Sequence, residues 1–255
     1  MTSPGDEPSR LEAISTRWSL LRRAHGESIT SAGQARNALV LRYVPAIRRY
    51  IGALLRSDED ADDVTHDVVV RLLAGDFAGA DPARGRFRDL LKTAIRNMVR
   101  NRWAREKRRR SAGLEAADVA AQPDAADDDA CWTAEWRQSV LDLAWKALQQ
   151  QEQSRPGSTS YTLLRLRADH PDDTSDELAA RFSRAIGRAV RADAVRQKLR
   201  RARLQFADLV IGEVAHAIHD PTPEKIEDEI AALGLVDLVR DLLPAGRREQ
   251  PRPQA

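Results

Sequence analysis

The clearest pattern in the sequence is a helical repeat of apolar residues that follows Asp81 and Pro82. The apolar positions recur every three or four residues, at Phe87, Leu90, Leu91, Ala94, Ile95, Met98 and Val99. That spacing places them on one side of an α-helix. Aspartate is a good N-cap and proline is favoured at the first helical position, so Asp81-Pro82 is the predicted start. The pattern therefore predicts an amphipathic helix with one buried side.

Two more amphipathic helices are predicted upstream. The first is expected to begin near Ala32, after the capping-box sequence Ser31-Ala-Gly-Gln34, and Pro45 is expected to kink or restart it. Its apolar positions are Val40, Val44, Ile47, Ile51 and Leu54. The second opens with the acids at 58–60, which suit the positive end of a helix dipole. Its core positions are Ala61, Val64, Val68 and Leu72, and Gly75 is expected to end it.

The second half of the chain predicts a helix-turn-helix arrangement. Two helices come first, with apolar positions Trp136, Val140, Leu141, Ala144 and Leu148, then Tyr161, Leu164 and Leu166. A second capping box, Thr174-Ser-Asp-Glu177, then opens a helix with Leu178, Ala179 and Phe182 in its core. After a turn with Gly187, a long basic helix begins near Ala192. A short helix, a glycine turn and a basic helix are typical of this motif, although the turn from 183 to 191 is longer than usual.

Composition supports an all-α fold. Aromatic residues make up 5% and charged residues 31% of the 255 residues, which does not supply the strand formers of an all-β sandwich. The apolar share of 42% is enough for small cores and argues against a wholly disordered chain. The single cysteine, Cys131, cannot form an intramolecular disulfide and fits a reducing compartment. No membrane-length apolar run or signal-peptide pattern occurs, so we expect a cytoplasmic protein with no membrane partner.

Charge is segregated along the chain although the net charge is only +2. Residues 84–110 carry twelve bases against two acids, and residues 181–203 carry nine bases against one acid. Within the first block Arg88, Lys92, Arg96 and Arg100 stand four residues apart, so like charges are stacked along one helix face. Nucleic-acid phosphates would supply the missing counter-charge, while a merely solvated face is the alternative. Trp103, Asn97 and Asn101 add groups that can stack on or hydrogen-bond to bases.

These patterns predict two small helical domains joined by an acidic flexible linker. From Glu115 to Glu135 the chain has seven acids, no base and little apolar periodicity, which is typical of a linker. The expected order is a disordered N-terminus (1–14), a first domain (15–110), the linker (111–133), a second domain with the helix-turn-helix (134–218) and a C-terminal extension (219–255). The extension has a small amphipathic stretch with Ile226, Ile230 and Leu233, which is either a docking helix or a cap on the second domain.

Several motifs, taken in order, resemble bacterial RNA polymerase sigma factors of the extracytoplasmic-function (ECF) type. Residues 60–73, DADDVTHDVVVRLL, are similar to the family's acidic helix, and residues 85–97, GRFRDLLKTAIRN, to its F-R-x-[FW]-L helix. Residues 177–182, ELAARF, with 194–203, AVRQKLRRAR, resemble its C-terminal helix-turn-helix. The resemblance extends from about Thr16 to Leu235.

The resemblance implies a partner for each charged surface. The acidic helix would dock on the clamp coiled coil of core RNA polymerase through Asp63, His66, Asp67 and Arg71, with His66 standing where the family usually has Gln. The promoter's minus-ten element would be bound and melted by Arg88, Lys92, Arg96, Asn97, Arg100, Asn101, Arg102, Trp103 and Arg105. The minus-thirty-five element would be bound by Arg191, Arg196, Gln197, Lys198, Arg200, Arg201 and Arg203. The implied function is promoter recognition, DNA melting and transcription initiation without catalytic residues, metal or cofactor, and an anti-sigma protein is left open as a further partner.

Two other classes of function remain open on the sequence. A stand-alone helix-turn-helix regulator shares both basic blocks but gives no reason for the acidic face at Asp63 and Asp67. An enzyme would need a catalytic constellation, and the sequence has neither an H-E-x-x-H motif nor a glycine-rich phosphate loop. A weak metal candidate is the pair His216 and His219, which are spaced to share a helix face near Glu213 and Asp220.

Overall fold

The computed structural model describes residues 29–55, 57–74, 86–111, 125–218 and 220–242. Within these ranges the protein is helical and has no strand, which confirms the all-α prediction. The helices are α1 (Ile29–Leu54), α2 (Asp58–Ala74), α3 (Phe87–Ser111), α4 (Ala125–Ser154), α5 (Ser160–Asp169), α6 (Ser175–Ile186), α7 (Ala192–His216), α8 (Pro223–Ala232) and α9 (Val236–Val239), followed by a 3-10 turn (Arg240–Leu242). None of these helices is long and apolar enough to cross a membrane. The predicted disordered residues 1–14 and the helix-boundary residues Gly75, Asp81 and Pro82 lie outside the described residues.

The chain divides into two compact units. Among the described residues, the first unit comprises those within Trp18–Ser139 together with His216–Pro221, and the second comprises Val140–Ala215 with residues 222–242. The division falls inside α4, whose first half belongs to one unit and whose second half belongs to the other. The expected boundary at residue 134 therefore lies within a continuous helix.

The first unit is built from α1, α2 and α3, with buried stripes close to those predicted. Helix α2 buries Ala61, Val64 and Val68. Helix α3 buries Leu91, Ala94, Ile95 and Val99. The stripe of α1 is rotated from the prediction, because Tyr43, Ala46, Ile47, Tyr50 and Ile51 are fully buried while Val44 and Leu54 are half-buried. Pro45 is exposed and α1 continues through it, so no restart occurs there.

The first half of α4 completes this core with two tryptophans. Trp136 stacks on Tyr43 with ring centroids 4.1 Å apart, and Trp132 lies 4.8 Å from Tyr50. The two indoles are themselves 5.5 Å apart, and Phe87 meets Trp136 edge-on at 6.3 Å. Both tryptophans are almost completely buried, so this cluster attaches the start of α4 to the bundle.

A flexible linker was expected over residues 111–133. The structure contradicts this expectation for the last nine of these residues. Residues 125–133 are helical and form the beginning of α4, whereas 112–124 lie outside the described residues. The reason is that Trp132, Trp136 and Val140 are spaced four residues apart and extend the apolar stripe of the next helix backward. Of the acids that suggested a linker, Asp128 continues this stripe and is buried, whereas Asp129 is exposed.

The second unit packs the rest of α4 with α5, α6 and α7. Trp145 of α4 lies 4.7 Å from Phe206 of α7 and meets Tyr161 of α5 edge-on at 5.9 Å. Glu152 near the end of α4 accepts hydrogen bonds from the backbone N–H of Thr162 at 3.1 Å and from its hydroxyl at 2.5 Å. Phe182 of α6 is fully buried. These contacts form part of the core of the second unit.

The C-terminal extension belongs to the second unit. In α8, Ile226 and Ile230 are fully buried. Leu233 and Leu235, which follow α8, and Val239 of α9 are also buried. Thr222 caps α8 by accepting from the backbone N–H of Lys225, and Pro223 takes the first helical position. Of the two alternatives for this segment, its buried apolar side favours the cap on the second domain.

Candidate functional site

The acidic face of α2 lies opposite its buried stripe. Asp63, His66, Asp67 and Arg71 are all exposed, so the structure brings the four predicted polymerase-docking residues to one side of one helix. Val70 lies on the same side and is 48% exposed, which is unusual among the large apolar residues that the structure describes. Sequence reasoning missed Val70, although its spacing of three from Asp67 could have placed it there. The face thus combines carboxylates with one exposed apolar side chain, which suits a protein partner.

Two arginines connect α2 to its neighbours through ion pairs. Arg48 of α1 lies 2.6 Å from Asp62, and Arg102 of α3 forms an ion pair with Asp60 and lies 3.9 Å from Asp63. Arg102 was predicted to contact DNA, yet in the structure it is half-buried and joins α3 to the start of α2. Its position is that of a residue that orients the acidic face relative to the basic helix.

The N-terminal half of the basic row on α3 is covered by α4. Arg88 is buried, and the Lys92 side chain is 12% exposed. Lys92 forms an ion pair with Asp129, and Arg96 Nε lies 2.7 Å from Asp128 Oδ2. Burial lowers the pKa of Lys92, and the nearby Asp128 carboxylate partly offsets this effect. These three bases therefore have neighbours within the protein where the sequence suggested phosphates.

Asp128 is the centre of this cluster and is 3% exposed. The Tyr50 hydroxyl donates a hydrogen bond to Asp128 from α1. Burial raises the pKa of Tyr50 above its usual range, and the hydrogen bond to Asp128 raises it further, so Tyr50 remains a donor. Two turns further along α4, Glu135 lies 2.5 Å from Arg49 Nε, and Arg49 also donates to the Ser139 hydroxyl at 2.9 Å.

The C-terminal half of α3 presents an open basic face. Asn97, Arg100, Asn101 and Arg105 are exposed and follow the helical spacing of one side. Arg108, which the site prediction omitted, is exposed on the same side and donates to the carbonyl of Ala104 at 3.2 Å. Trp103 is half-buried. The structure thus divides the predicted minus-ten residues into a covered half and an accessible half.

The second basic surface lies on α7, behind a well-defined turn. Gly187 ends α6 at a φ of 70°, a left-handed conformation that glycine adopts without strain. The Ser183 hydroxyl accepts from the backbone N–H of Val190 at 2.9 Å, which accounts for the extended turn before α7. The exposed predicted residues here are Arg191, Arg196, Gln197, Arg200, Arg201 and Arg203, while Lys198 is half-buried. Arg196 forms an ion pair with Asp193 in the first turn of α7.

The weak metal candidate gains no support from the described residues. His216 is exposed at the end of α7, whereas His219 lies outside the described ranges. Across the part of the chain that the structure describes, no group of three or more His, Cys, Asp or Glu side chains is arranged to hold a metal ion.

Comparison with known proteins gives one match, and it lies within the first unit. Searches of curated proteins and of solved structures found no match to the chain. Among protein families, the model described as Sigma-70 region 2 matches residues 39–109. That stretch runs from within α1 almost to the end of α3 and so includes the acidic face of α2 and both halves of the basic row. The chain therefore contains a Sigma-70 region 2 domain at residues 39–109, a finding that supports a sigma factor.

Proposed function

We propose that the protein is a sigma factor of the ECF type, which binds core RNA polymerase and directs promoter recognition, DNA melting and transcription initiation. The observation that carries the proposal is the region 2 match at 39–109. The acidic docking face and the open basic face, both within the matched residues, support it. The place of action would be the cytoplasm, where polymerase and promoter DNA meet, and an anti-sigma protein remains a proposed further partner.

The proposed polymerase contact uses the exposed side of α2. Asp63 and Asp67 would form ion pairs with basic side chains of the clamp coiled coil. Val70, His66 and Arg71 would contact the coiled coil beside them. A face of this kind gains affinity from apolar burial and orientation from charge complementarity. Arg102 would keep α3 in a fixed relation to this face through Asp60.

The proposed melting surface is the C-terminal half of α3. Unstacking a promoter base costs a few kcal/mol, and stacking on protein groups together with backbone contacts repays that cost. Arg100, Arg105 and Arg108 are placed to contact phosphates, and Asn97 and Asn101 to hydrogen-bond exposed bases. Trp103 would provide a stacking surface at the edge of this face. No catalytic step is part of the mechanism, because binding energy alone shifts the DNA toward the open form.

The proposed upstream contact is made by the helix-turn-helix of the second unit. The exposed arginines and Gln197 near the start of α7 would act as in a recognition helix, whose N-terminal residues reach base edges in the major groove. Arginines there would contact phosphates or guanines, and Gln197 would suit adenine. Two separate DNA contacts would give the holoenzyme higher affinity for promoters than either contact alone.

Co-migration with bacterial core RNA polymerase on size exclusion tests this function. We expect the wild-type chain to co-migrate and the Asp63→Lys/Asp67→Lys variant to lose at least about tenfold in affinity, since two attractive contacts become repulsive. Asp228→Lys/Asp237→Lys is the matched control, because it makes the same charge change at exposed acids of α8 and α9. A folded wild type that never co-migrates would favour a stand-alone helix-turn-helix regulator. Equal loss in the control would place the docking surface elsewhere.

A further inference from the structure

The acidic start of α4 lies against the bases that the sequence assigned to phosphate contacts. Arg96 Nε is 2.7 Å from Asp128 Oδ2, and Lys92 forms an ion pair with the adjacent Asp129. The two carboxylates come from neighbouring residues of one helical turn and engage bases one turn apart on α3. The basic row therefore carries a built-in counter-charge for two of its members.

Buried aromatic contacts hold this turn of α4 in place. Trp132 and Trp136 are almost completely buried against Tyr50 and Tyr43, and the Tyr50 hydroxyl donates to Asp128. Moving α4 away would expose both indoles to water and break a buried hydrogen bond. The carboxylates consequently stay beside α3 at a high effective concentration.

We propose that Asp128 and Asp129 form a self-inhibitory contact, an internal competitor that holds Lys92 and Arg96 and keeps nucleic-acid phosphates from them. This inference rests on the assignment of α3 to DNA in the proposed function. A phosphate that reaches Lys92 or Arg96 must displace a carboxylate. The displaced carboxylate then takes up a cation from solution, so DNA binding releases fewer counter-ions in total. Arg100, Arg105 and Arg108 remain open, so the contact weakens DNA binding without abolishing it.

The test is fluorescence anisotropy of a labelled single-stranded oligonucleotide with the full chain over a series of NaCl concentrations. In the Asp128→Asn/Asp129→Asn variant we expect binding about tenfold tighter and a log–log salt slope steeper by about 1, because up to two bases become available to phosphates. Asp129→Asn alone should give about a threefold gain by freeing one base. Asp129 is 68% exposed, so this single variant keeps the test valid if loss of the buried Asp128 impairs folding.

Two controls separate competition from a general change in charge. Glu59→Gln removes one negative charge from an exposed position of the same unit and should change affinity by less than about twofold. In a Lys92→Ala/Arg96→Ala chain, the gain from Asp128→Asn/Asp129→Asn should disappear, because the residues that the acids hold are gone.

The outcomes distinguish this contact from the proposed function. An equal gain from Glu59→Gln, or a gain that persists without Lys92 and Arg96, would overturn the competition. Measurable binding with unchanged affinity and slope in both Asp variants would also overturn it, while leaving α3 as a DNA-binding helix. No binding by any variant, with circular dichroism showing folded chains, would count against the assignment of α3 to DNA and thereby against both proposals.

Discussion

Asp128 and Asp129 show how two adjacent residues of the same type can take different roles in a folded protein. Asp128 is 3% exposed and lies between the Tyr50 hydroxyl and Arg96, whereas Asp129 is 68% exposed and is reached by Lys92. The buried carboxylate is tolerated because one hydrogen bond and an opposite charge compensate for its lost hydration. In sequence both residues look like linker acids, and burial alone separates them.

Cys131 is a natural reporter of this environment. Burial raises the pKa of its thiol, and the negative charges of Glu135 and Asp128 raise it further. A raised pKa leaves less thiolate, the reactive form, so we expect slow alkylation by iodoacetamide near about pH 8. Glu135→Gln removes one of the charges and should speed the reaction a few-fold, as followed by mass spectrometry.

Glu59→Gln serves as the control for Cys131, because it removes an exposed charge that does not contribute to the thiol's pKa shift. In the Glu59→Gln variant, Cys131 should be alkylated at the wild-type rate. A native chain that reacted as fast as the urea-unfolded chain would contradict the shielded position of Cys131.

Among the helices, α6 has the most completely defined beginning. Thr174 accepts a hydrogen bond from the backbone N–H of Glu177, and the Glu177 carboxylate accepts from the backbone N–H of Thr174 at 2.8 Å. The sequence predicted this capping box from four residues, because such a cap depends on local spacing. The prediction is confirmed by both reciprocal hydrogen bonds.

The cap should contribute measurably to the stability of the second unit. Thr174→Ala is expected to lower the free energy of unfolding by about 1 kcal/mol, because the first turn of α6 loses a hydrogen-bond acceptor. Urea denaturation followed by circular dichroism measures this loss. Ser175→Ala, which changes a neighbouring hydroxyl residue outside the box, is the matched control and should stay close to the wild type.

The pH dependence of this cap has a defined sign. The hydrogen bond from the Thr174 backbone is the main reason that the pKa of Glu177 is lowered in the folded protein. A lowered folded pKa means that the stabilisation is present above the unfolded pKa of about 4.3 and is lost as pH falls through the folded value. Glu177→Gln should therefore remove this part of the acid destabilisation. An unchanged acid profile would contradict the hydrogen bonds seen at α6.

Helix α4 was the element most poorly predicted. The sequence before Trp136 has many acids and few apolar residues, and this composition predicts a flexible linker at the start of α4. In the structure the spacing of Trp132 and Trp136 is decisive, because burial of two large indoles stabilises the helix more than exposed charges oppose it. The local sequence does not show which of these two effects is larger, because the aromatic partners Tyr43 and Tyr50 come from α1.

At the scale of the whole molecule, the two units have separate cores, and the C-terminal extension contributes to the second. Ile230 of α8 is fully buried there. Ile230→Asp should destabilise the second unit by several kcal/mol, since an unpaired carboxylate would enter an apolar core. The first unit, whose core is built from other residues, should be affected much less.

Limited proteolysis with mass spectrometry can follow the two units separately. The Ile230→Asp chain should be cleaved rapidly between Val140 and Ala215, while peptides from α1 to α3 remain protected. Asp228→Asn, an exposed neighbour on α8, should show the wild-type pattern. Simultaneous loss of protection in both units would contradict independent cores.

The sequence by itself determined the helical class, most of the helix positions, the capping box of α6 and the residues of the acidic and basic faces. These features depend on spacing within one helix, which the order of residues already contains. The motifs of the first unit also sufficed for the resemblance to sigma factors, and the region 2 match at residues 39–109 supports that part of the prediction.

The tertiary structure alone decided which charged residues face solvent. Arg88, Lys92 and Arg100 are equivalent in the sequence pattern, yet the first is buried, the second is paired with Asp129 and the third is exposed. The difference between Lys92 and Arg100 arises because the start of α4 pairs with bases in one half of α3, and this contact joins residues more than thirty positions apart. Periodicity within a helix identifies its apolar and polar faces. Which helix packs on a face depends on the total apolar surface that several helices bury together.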